Sequence, residues 1–138
     1  MPSFPTPKIR PSGRLYIASP LPTYRTQRYE RRLAAIVGQF PGVEILQPRL
    51  LFTNNAHWCT ARPSLIKTLH GVVVFPDTDG TIGLGTFTEV SDAQTRGIRV
   101  WYLNNRHRFR EAFDLAIIDD GQSWRKYARI LSVRDAKR

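Results

Sequence analysis

Apolar and polar positions fall in blocks whose period changes along the chain. Arg14 to Ala18 is a short β-rich run stopped by Ser19-Pro20-Leu21-Pro22, which predicts a first strand feeding a loop. Next, Tyr29, Leu33, Ile36, Val37 and Phe40 recur at the spacing of one buried helical face. Thr26 or Thr23 is placed to cap that helix, and Gly38 with Pro41-Gly42 to end it, while Arg25, Arg28, Arg31 and Arg32 fall on the opposite face. Val43 to Gln47 predicts a second strand closed by Pro48. Residues 49–61 show no clear period and read as a polar loop through Asn54-Asn55 to Trp58. Pro63 suits the first turn of a short helix, where its missing N–H is no loss, with Leu65, Ile66 and Leu69 as the apolar side. The unbroken run Val72-Val73-Val74-Phe75 is typical of a parallel strand covered on both faces.

After Phe75 the chain turns through a glycine-rich stretch into a helix expected over 86–95, with Phe87, Val90 and Ala93 or Gln94 inward and Gly97 at its C′ position. Residues 98–103 form the next strand. This alternation of strand and helix predicts an α/β fold, a Rossmann or flavodoxin-like sandwich with a mainly parallel sheet. Phe109 to Ile118 and Trp124 to Val133 are both β-capable and flank Asp119-Asp120-Gly121-Gln122-Ser123, a turn signal. They predict a C-terminal β-hairpin appended to the sheet; a helix over 106–116 is the alternative. Residues 1–13 carry four prolines and no hydrophobic period, so they read as a flexible arm before a single domain over 14–138.

Composition narrows the setting. The chain has 138 residues, 41% of them hydrophobic, which suits one closed core. No apolar run reaches the roughly 18 to 20 residues of a membrane span, and prolines occupy the start where a signal peptide needs its apolar stretch. Cys59 is the only cysteine, which leaves no internal disulfide framework and no cysteine-based zinc site. A cytoplasmic location and no membrane partner are expected. Charge is the unusual property: the net value is +10, with +8 up to His70 and +2 from Gly71 onward. Such a field attracts polyanions, phosphorylated small molecules or acidic proteins, and it also serves solubility alone.

Candidate chemistry follows from the strand ends, since ligands of parallel α/β sheets bind beyond the carboxyl ends of the strands. Gly80, Gly83 and Gly85 allow close backbone approach, and the following helix N-terminus favours anionic or oxygen-rich ligands. No Gly-Lys-Ser/Thr occurs, so this is not a Walker loop. Thr86 followed by Glu89 has the spacing of a capping box, Asp77 and Asp79 have that of turn residues, and Tyr16 that of a packed strand residue. His57, His70 and His107 are scattered, and no metal or other cofactor is expected. Cys59 beside Trp58 reads as a structural cysteine, or a reactive thiol if His57 activates it. The basic runs around Asn104 to Arg110 and Trp124 to Tyr127 read as solvated or packed segments, or as grips for phosphates and bases.

A resemblance adds to these readings. Tyr16-Ile17-Ala18-Ser19-Pro20 resembles the Tyr-x-Ala-Gly/Ser-Pro opening of the nucleoside 2-deoxyribosyltransferase family. Gly85-Thr86-Phe87-Thr88-Glu89, Ala93, Gly97 and Val100 resemble that family's Gly-Thr-x-x-Glu, Ala, Gly-Lys-Pro-Val signature in the same order, so the likeness covers about residues 14 to 104. The resemblance implies that Glu89, in the first turn of its helix, is a nucleophile for the anomeric carbon, that Tyr16 orients it, and that Asp77 or Asp79 assists the leaving base. It further implies substrate contacts from Ser19, Pro20, Arg25, Gly83, Gly85, Thr86 and Asn104, with a nucleoside or nucleotide as ligand and a homo-oligomer that shares its sites. The chain departs from the pattern at Gly83-Leu84, where the family has Asp-Ser, at Ser64, Lys67 and Thr68, where an acid is usual, and at Arg99. The expected function is N-glycoside cleavage, by a hydrolase or deoxyribosyltransferase, with NAD cleavage as a variant. The alternatives are a non-catalytic nucleotide- or nucleic-acid-binding module using the basic surface, and a basic protein-interaction domain.

Overall fold

The computed structural model describes residues 13–19, 24–77, 79–104, 106–111, 114–117 and 127–131. Along the chain run β1 (Arg14–Ala18), α1 (Gln27–Gln39), β2 (Glu44–Leu46), α2 (Pro48–Leu51), α3 (Asn55–Ile66) and β3 (Gly71–Val74). They are followed by β4 (Thr81–Ile82), α4 (Leu84–Thr95), β5 (Val100–Leu103), β6 (Phe109–Glu111), β7 (Asp114–Ile117) and β8 (Ala128–Leu131). Five strands form the main sheet in the order β2-β1-β3-β5-β6, the first three pairings parallel and β5 with β6 antiparallel. A second, antiparallel sheet has the order β4-β8-β7. The fold is therefore the expected α/β, Rossmann-like arrangement. No helix among the described residues is long and apolar enough to cross a membrane.

Period-two alternation in β1 and β3 sorts the core into two layers. Leu15, Ile17 and Val73 pack with Tyr29, Ile36, Phe40, Phe75, Trp101 and Leu103 under α1. Tyr16, Ala18, Val72 and Val74 pack with Ile66, Val90 and Ala93 under α3 and α4. Every residue of β3 is buried, as its unbroken apolar run requires of a strand covered on both faces. Gly71 starts that strand because Trp101 crosses it: a Cβ there would lie 2.4 Å from Trp101 Cζ3.

The helices depart from the sequence expectation in instructive ways. Thr26 caps α1, its side chain accepting from Tyr29 N at 3.2 Å. However, Gly38 lies inside α1, and the helix ends at Phe40, whose N–H reaches Ile36 O at 3.1 Å. Val37 is 52% exposed, and Arg32, expected on the solvent face, is 1% exposed. Its long side chain reaches Pro76 O, and a burial pattern drawn from apolar residues alone does not register it. Residues 49–61 are not one loop: they hold most of α2, a short link over 52–54 and the first part of α3. Asn54 caps α3 by accepting from His57 N at 2.8 Å, and Pro63 sits in the helix interior rather than its first turn. Ile66 is the one fully buried side chain of α3, so no hydrophobic period announces that helix.

Gly97 ends α4 with φ at 73°. Its N–H reaches Gln94 O at 3.1 Å and the Ile98 N–H reaches Ala93 O at 3.0 Å, the paired bonds of a Schellman motif. In the C-terminal part, β7 and β8 pair as a hairpin, but the stretch expected as one strand over 109–118 is split. Its first part pairs with β5, its second with β8, and β8 joins β4 instead of the main sheet. The described residues of 106–116 hold strands, so the helical alternative is excluded for them. The Asp119 to Ser123 turn and residues 1–12 lie outside the described residues.

Candidate functional site

The chain leaves β1 to build β2 on one side, then builds β3 and β5 on the other, so strand order reverses between β1 and β3. A crevice at the carboxyl ends of the strands on either side of such a reversal is where α/β folds hold ligands. Here Ser19, just past β1, donates through Oγ to Phe75 O, just past β3, at 3.2 Å. Beside this bridge opens a cavity of about 580 Å³. Ser19 and Tyr24 line it from one side, Arg49 and Phe52 from α2 and its end, Asn54, Asn55, Trp58 and Cys59 from the start of α3, and Gly83 to Thr86 with Thr88 and Glu89 from α4 and its cap. Gly83 is the N-cap of α4, so the unbonded N–H groups of its first turn belong to the cavity wall.

Glu89 is the acid in this lining, 3% exposed. The Tyr16 hydroxyl donates to its Oε2, and Trp58 Nε1 donates to the same oxygen at 3.3 Å. Oε1 takes no hydrogen bond from any described residue. Burial drives the carboxyl up to about 7, and the hydrogen bonds from Tyr16 and Trp58 and the charge of Arg62 only partly offset it. Burial first, and then the neighbouring Glu89 charge, push the Tyr16 phenol far above its usual range, so Tyr16 remains a donor throughout the physiological span. Burial raises Tyr24 in the same way.

Glu89 lies in the second turn of α4, not the first, because the helix begins at Leu84. The capping box is overturned with it: Gly83 is the cap, no side chain makes a capping bond, and the Glu89 carboxylate turns to Tyr16 and Trp58. Thr86, Gly83, Gly85 and Ser19 do line the cavity. Pro20 lies outside the described residues. Arg25 is exposed and is not part of the lining.

Asp77 and Asp79 also lie outside the lining. Asp79 Oδ1 accepts from Thr81 N at 3.1 Å and Thr81 Oγ1 at 2.5 Å, the bonding of a turn residue. Asp77 brackets the same turn through its backbone and sits in the field of Arg28 and Arg32. Asn104 Oδ1 accepts from Arg106 N at 2.9 Å and Arg108 N at 3.0 Å, which ties down the turn after β5 away from the cavity.

Trp58 is the site residue that sequence reasoning missed as a donor, and Arg62 stands behind it. The Asn54 cap was the available signal, since it starts α3 early enough to carry both residues on one face. Arg49 lines the cavity with its charge engaged: it pairs with Glu30 at 2.8 Å and donates to Tyr24 O at 2.7 Å. His57 Nδ1 accepts from Thr53 N at 3.1 Å, so the imidazole serves the loop before α3. No group of three His, Cys, Asp or Glu side chains suited to a metal ion occurs among the described residues. Comparison with protein-family models, curated proteins and solved structures finds no match to this chain.

Proposed function

We propose that this chain is an N-glycoside-cleaving enzyme, a hydrolase or deoxyribosyltransferase, that acts on a nucleoside, nucleotide or nucleotide-like molecule with Glu89 as nucleophile. The observation that carries it is the division within one carboxyl group: Oε2 is held by Tyr16 and Trp58, while Oε1 is unengaged on a residue that lines the cavity. The volume of about 580 Å³ falls within the range of small-molecule sites. The motif resemblance to nucleoside 2-deoxyribosyltransferases points to the same carboxylate.

Chemically, Oε1 attacks the anomeric carbon as its bond to the base nitrogen breaks, and the base departs with the bonding electrons. The carboxylate stabilises the oxocarbenium-like state and traps it as a glycosyl ester. Water, or a second base, then attacks the same carbon and frees Glu89. Among the described lining residues no second acid is available to protonate the leaving base. A glycoside whose base leaves without needing a proton, as nicotinamide leaves NAD, therefore suits this lining best. A cytoplasmic setting agrees with the single cysteine and with such substrates.

Incubation with deoxynucleosides, their monophosphates and NAD tests the proposal by chromatography of the released base. Release that disappears in Glu89→Gln supports it; no release from any of them removes it. The engagement of Asp77 and Asp79 elsewhere favours a second reading, a nucleotide- or nucleic-acid-binding module on the same scaffold. That module would bind polyanions through exposed Arg25 and Arg31 with affinity that falls steeply as salt rises. Binding that is flat from low to moderate salt would exclude it.

A further inference from the structure

Arg62 follows Trp58 by one helical turn on α3, and its guanidinium stacks on the indole with Cζ 4.0 Å from the ring centroid. It does not itself line the cavity. Its Nε and Nη1 are buried with no hydrogen-bond partner among the described residues. Asp92 Oδ2 is 3.9 Å from Nε, beyond hydrogen-bond range, and Asp92 Oδ1 is taken by Arg96 at 3.0 Å. A guanidinium buried without its hydrogen bonds weighs against stability, and an apolar side chain of similar length fills such a place more favourably. The charge kept there has two neighbours, the Asp92 carboxylate on its far side and, on the near side, the indole that holds Glu89.

We infer that Trp58 and Arg62 are a positioning pair for Glu89: the guanidinium clamps the indole, and the indole N–H fixes Oε2 so that Oε1 is presented to a bound glycoside. The inference rests on Glu89 being the reactive carboxylate of the proposed function. A cation over an indole face is held by the ring quadrupole, and by drawing electron density from the ring it makes the N–H a stronger donor. The pair thus acts on Glu89 twice, through the hydrogen bond and through its field. Both effects oppose burial, which alone would keep the carboxyl protonated. The other ionisable groups around Glu89 are Tyr16 from β1, Tyr24 before α1, Tyr29 on α1, and Arg49 and Cys59 in the cavity wall. Asp92, one turn further along α4, holds Arg62 from the far side.

The test is a pH titration of the full chain labelled with carbon-13 at glutamate side-chain carboxyls. The Glu89 signal is identified by its loss in Glu89→Gln. Arg62→Met keeps the length of the stem without the charge, and it is expected to move the Glu89 midpoint up by about half a pH unit or more while leaving the unfolding temperature unchanged or higher. Trp58→Phe keeps a ring for the guanidinium but removes the N–H, and is expected to shift the midpoint up by about one unit. The double variant should shift it by less than the two single shifts together, since the residues act in series. Arg62→Lys should recover half or more of the Arg62→Met shift.

A wild-type midpoint in Arg62→Met together with a lowered unfolding temperature would show that Arg62 is only structural and overturn the inference. Base release supplies a second reading: the Arg62→Met rate should fall severalfold below the midpoint and recover above pH 8, where the carboxylate is ionised in both proteins. Loss of equal size at every pH, with the Glu89 midpoint unmoved, also counts against the pair. If wild type releases no base at all, the glycosidase function fails, and the carboxyl titration still decides whether the pair holds Glu89.

Discussion

Among the described residues, the two faces of the main sheet each bury one side chain of the acidic or basic types, Arg32 on one and Glu89 on the other, and they treat it in opposite ways. Under α1, Arg32 donates through Nη1 to Pro76 O at 2.7 Å, lies 5.7 Å from the Phe75 ring centroid and is held down to about 10 by burial and by Arg28. Its best donor is committed to a backbone carbonyl at the end of β3, so its charge is spent on the fold. Under α4, both donors to Glu89 converge on one oxygen, and the other oxygen belongs to a residue of the cavity wall. Burial alone does not distinguish the two. The distinction lies in whether the buried group keeps an atom unengaged beside a space that a ligand fits.

The largest expected effect attacks the Glu89 side of this contrast. Glu89→Gln preserves an acceptor for Tyr16 and Trp58 but removes the carboxylate proposed as nucleophile, and base release should fall by about a thousandfold or more with the circular dichroism spectrum unchanged. Retained release would erase the contrast. The second effect is thermodynamic. Glu89 titrates near 7 in the folded chain against an ordinary 4.5, so the folded state holds a proton that the unfolded chain has lost within that window. The contribution of Glu89 to stability therefore falls as pH rises from about 4.5 to about 7, by about 3 kcal/mol in total, and is level above that. Urea unfolding of Glu89→Gln should lack this slope, so its advantage over wild type appears at pH 8 and not at pH 4.5.

On the other face, Arg32→Ala leaves Pro76 O without its donor and opens a void, at an expected cost of about 2 to 3 kcal/mol in urea unfolding. Base release per folded molecule should be unchanged, and a specific loss of activity would break the contrast from that side. The smallest effect sharpens it. Gly71→Ala forces Trp101 and Leu15 to give way in the layer under α1, so stability should fall by about 1 to 2 kcal/mol while the Glu89 titration stays where it was.

Much of the frame was legible because its signals are local. The buried run of β3, the Thr26 cap of α1 and the Gly97 stop of α4 each sit within a few residues of what they specify. The motif resemblance pairs Tyr16 with Glu89, and the two do meet, though the spacing of Thr86 and Glu89 fits a capping box only if α4 starts three residues later than it does. Trp58 and Arg62 were not legible as site residues. Trp58 donates to a carboxylate 31 positions away, and Arg62 stacks on its ring, both from a helix whose exposure conceals its period. Asp79 misled for the opposite reason: a turn needs the same residue type as an acid catalyst, and Thr81 claims it.

The short strand β4 carries a consequence for the order in which the protein is made. It leads directly into the cap of α4, and its partners are Arg129 and Ala128, with further bonds from Tyr127 N to Ile82 O at 2.9 Å and Ile130 N to Gly80 O at 3.0 Å. A nascent chain emerging from the ribosome thus carries Glu89, Tyr16 and Trp58 well before the segment that pins their loop. Such distant pairings form late in folding, so the cavity takes its final shape only after β8 has been made and is free to pair with β4. A chain stalled short of Ala128 would hold Glu89 on an unbraced helix, and resistance of the Gly80 to Gly85 loop to proteolysis would mark the moment at which the cavity is finished.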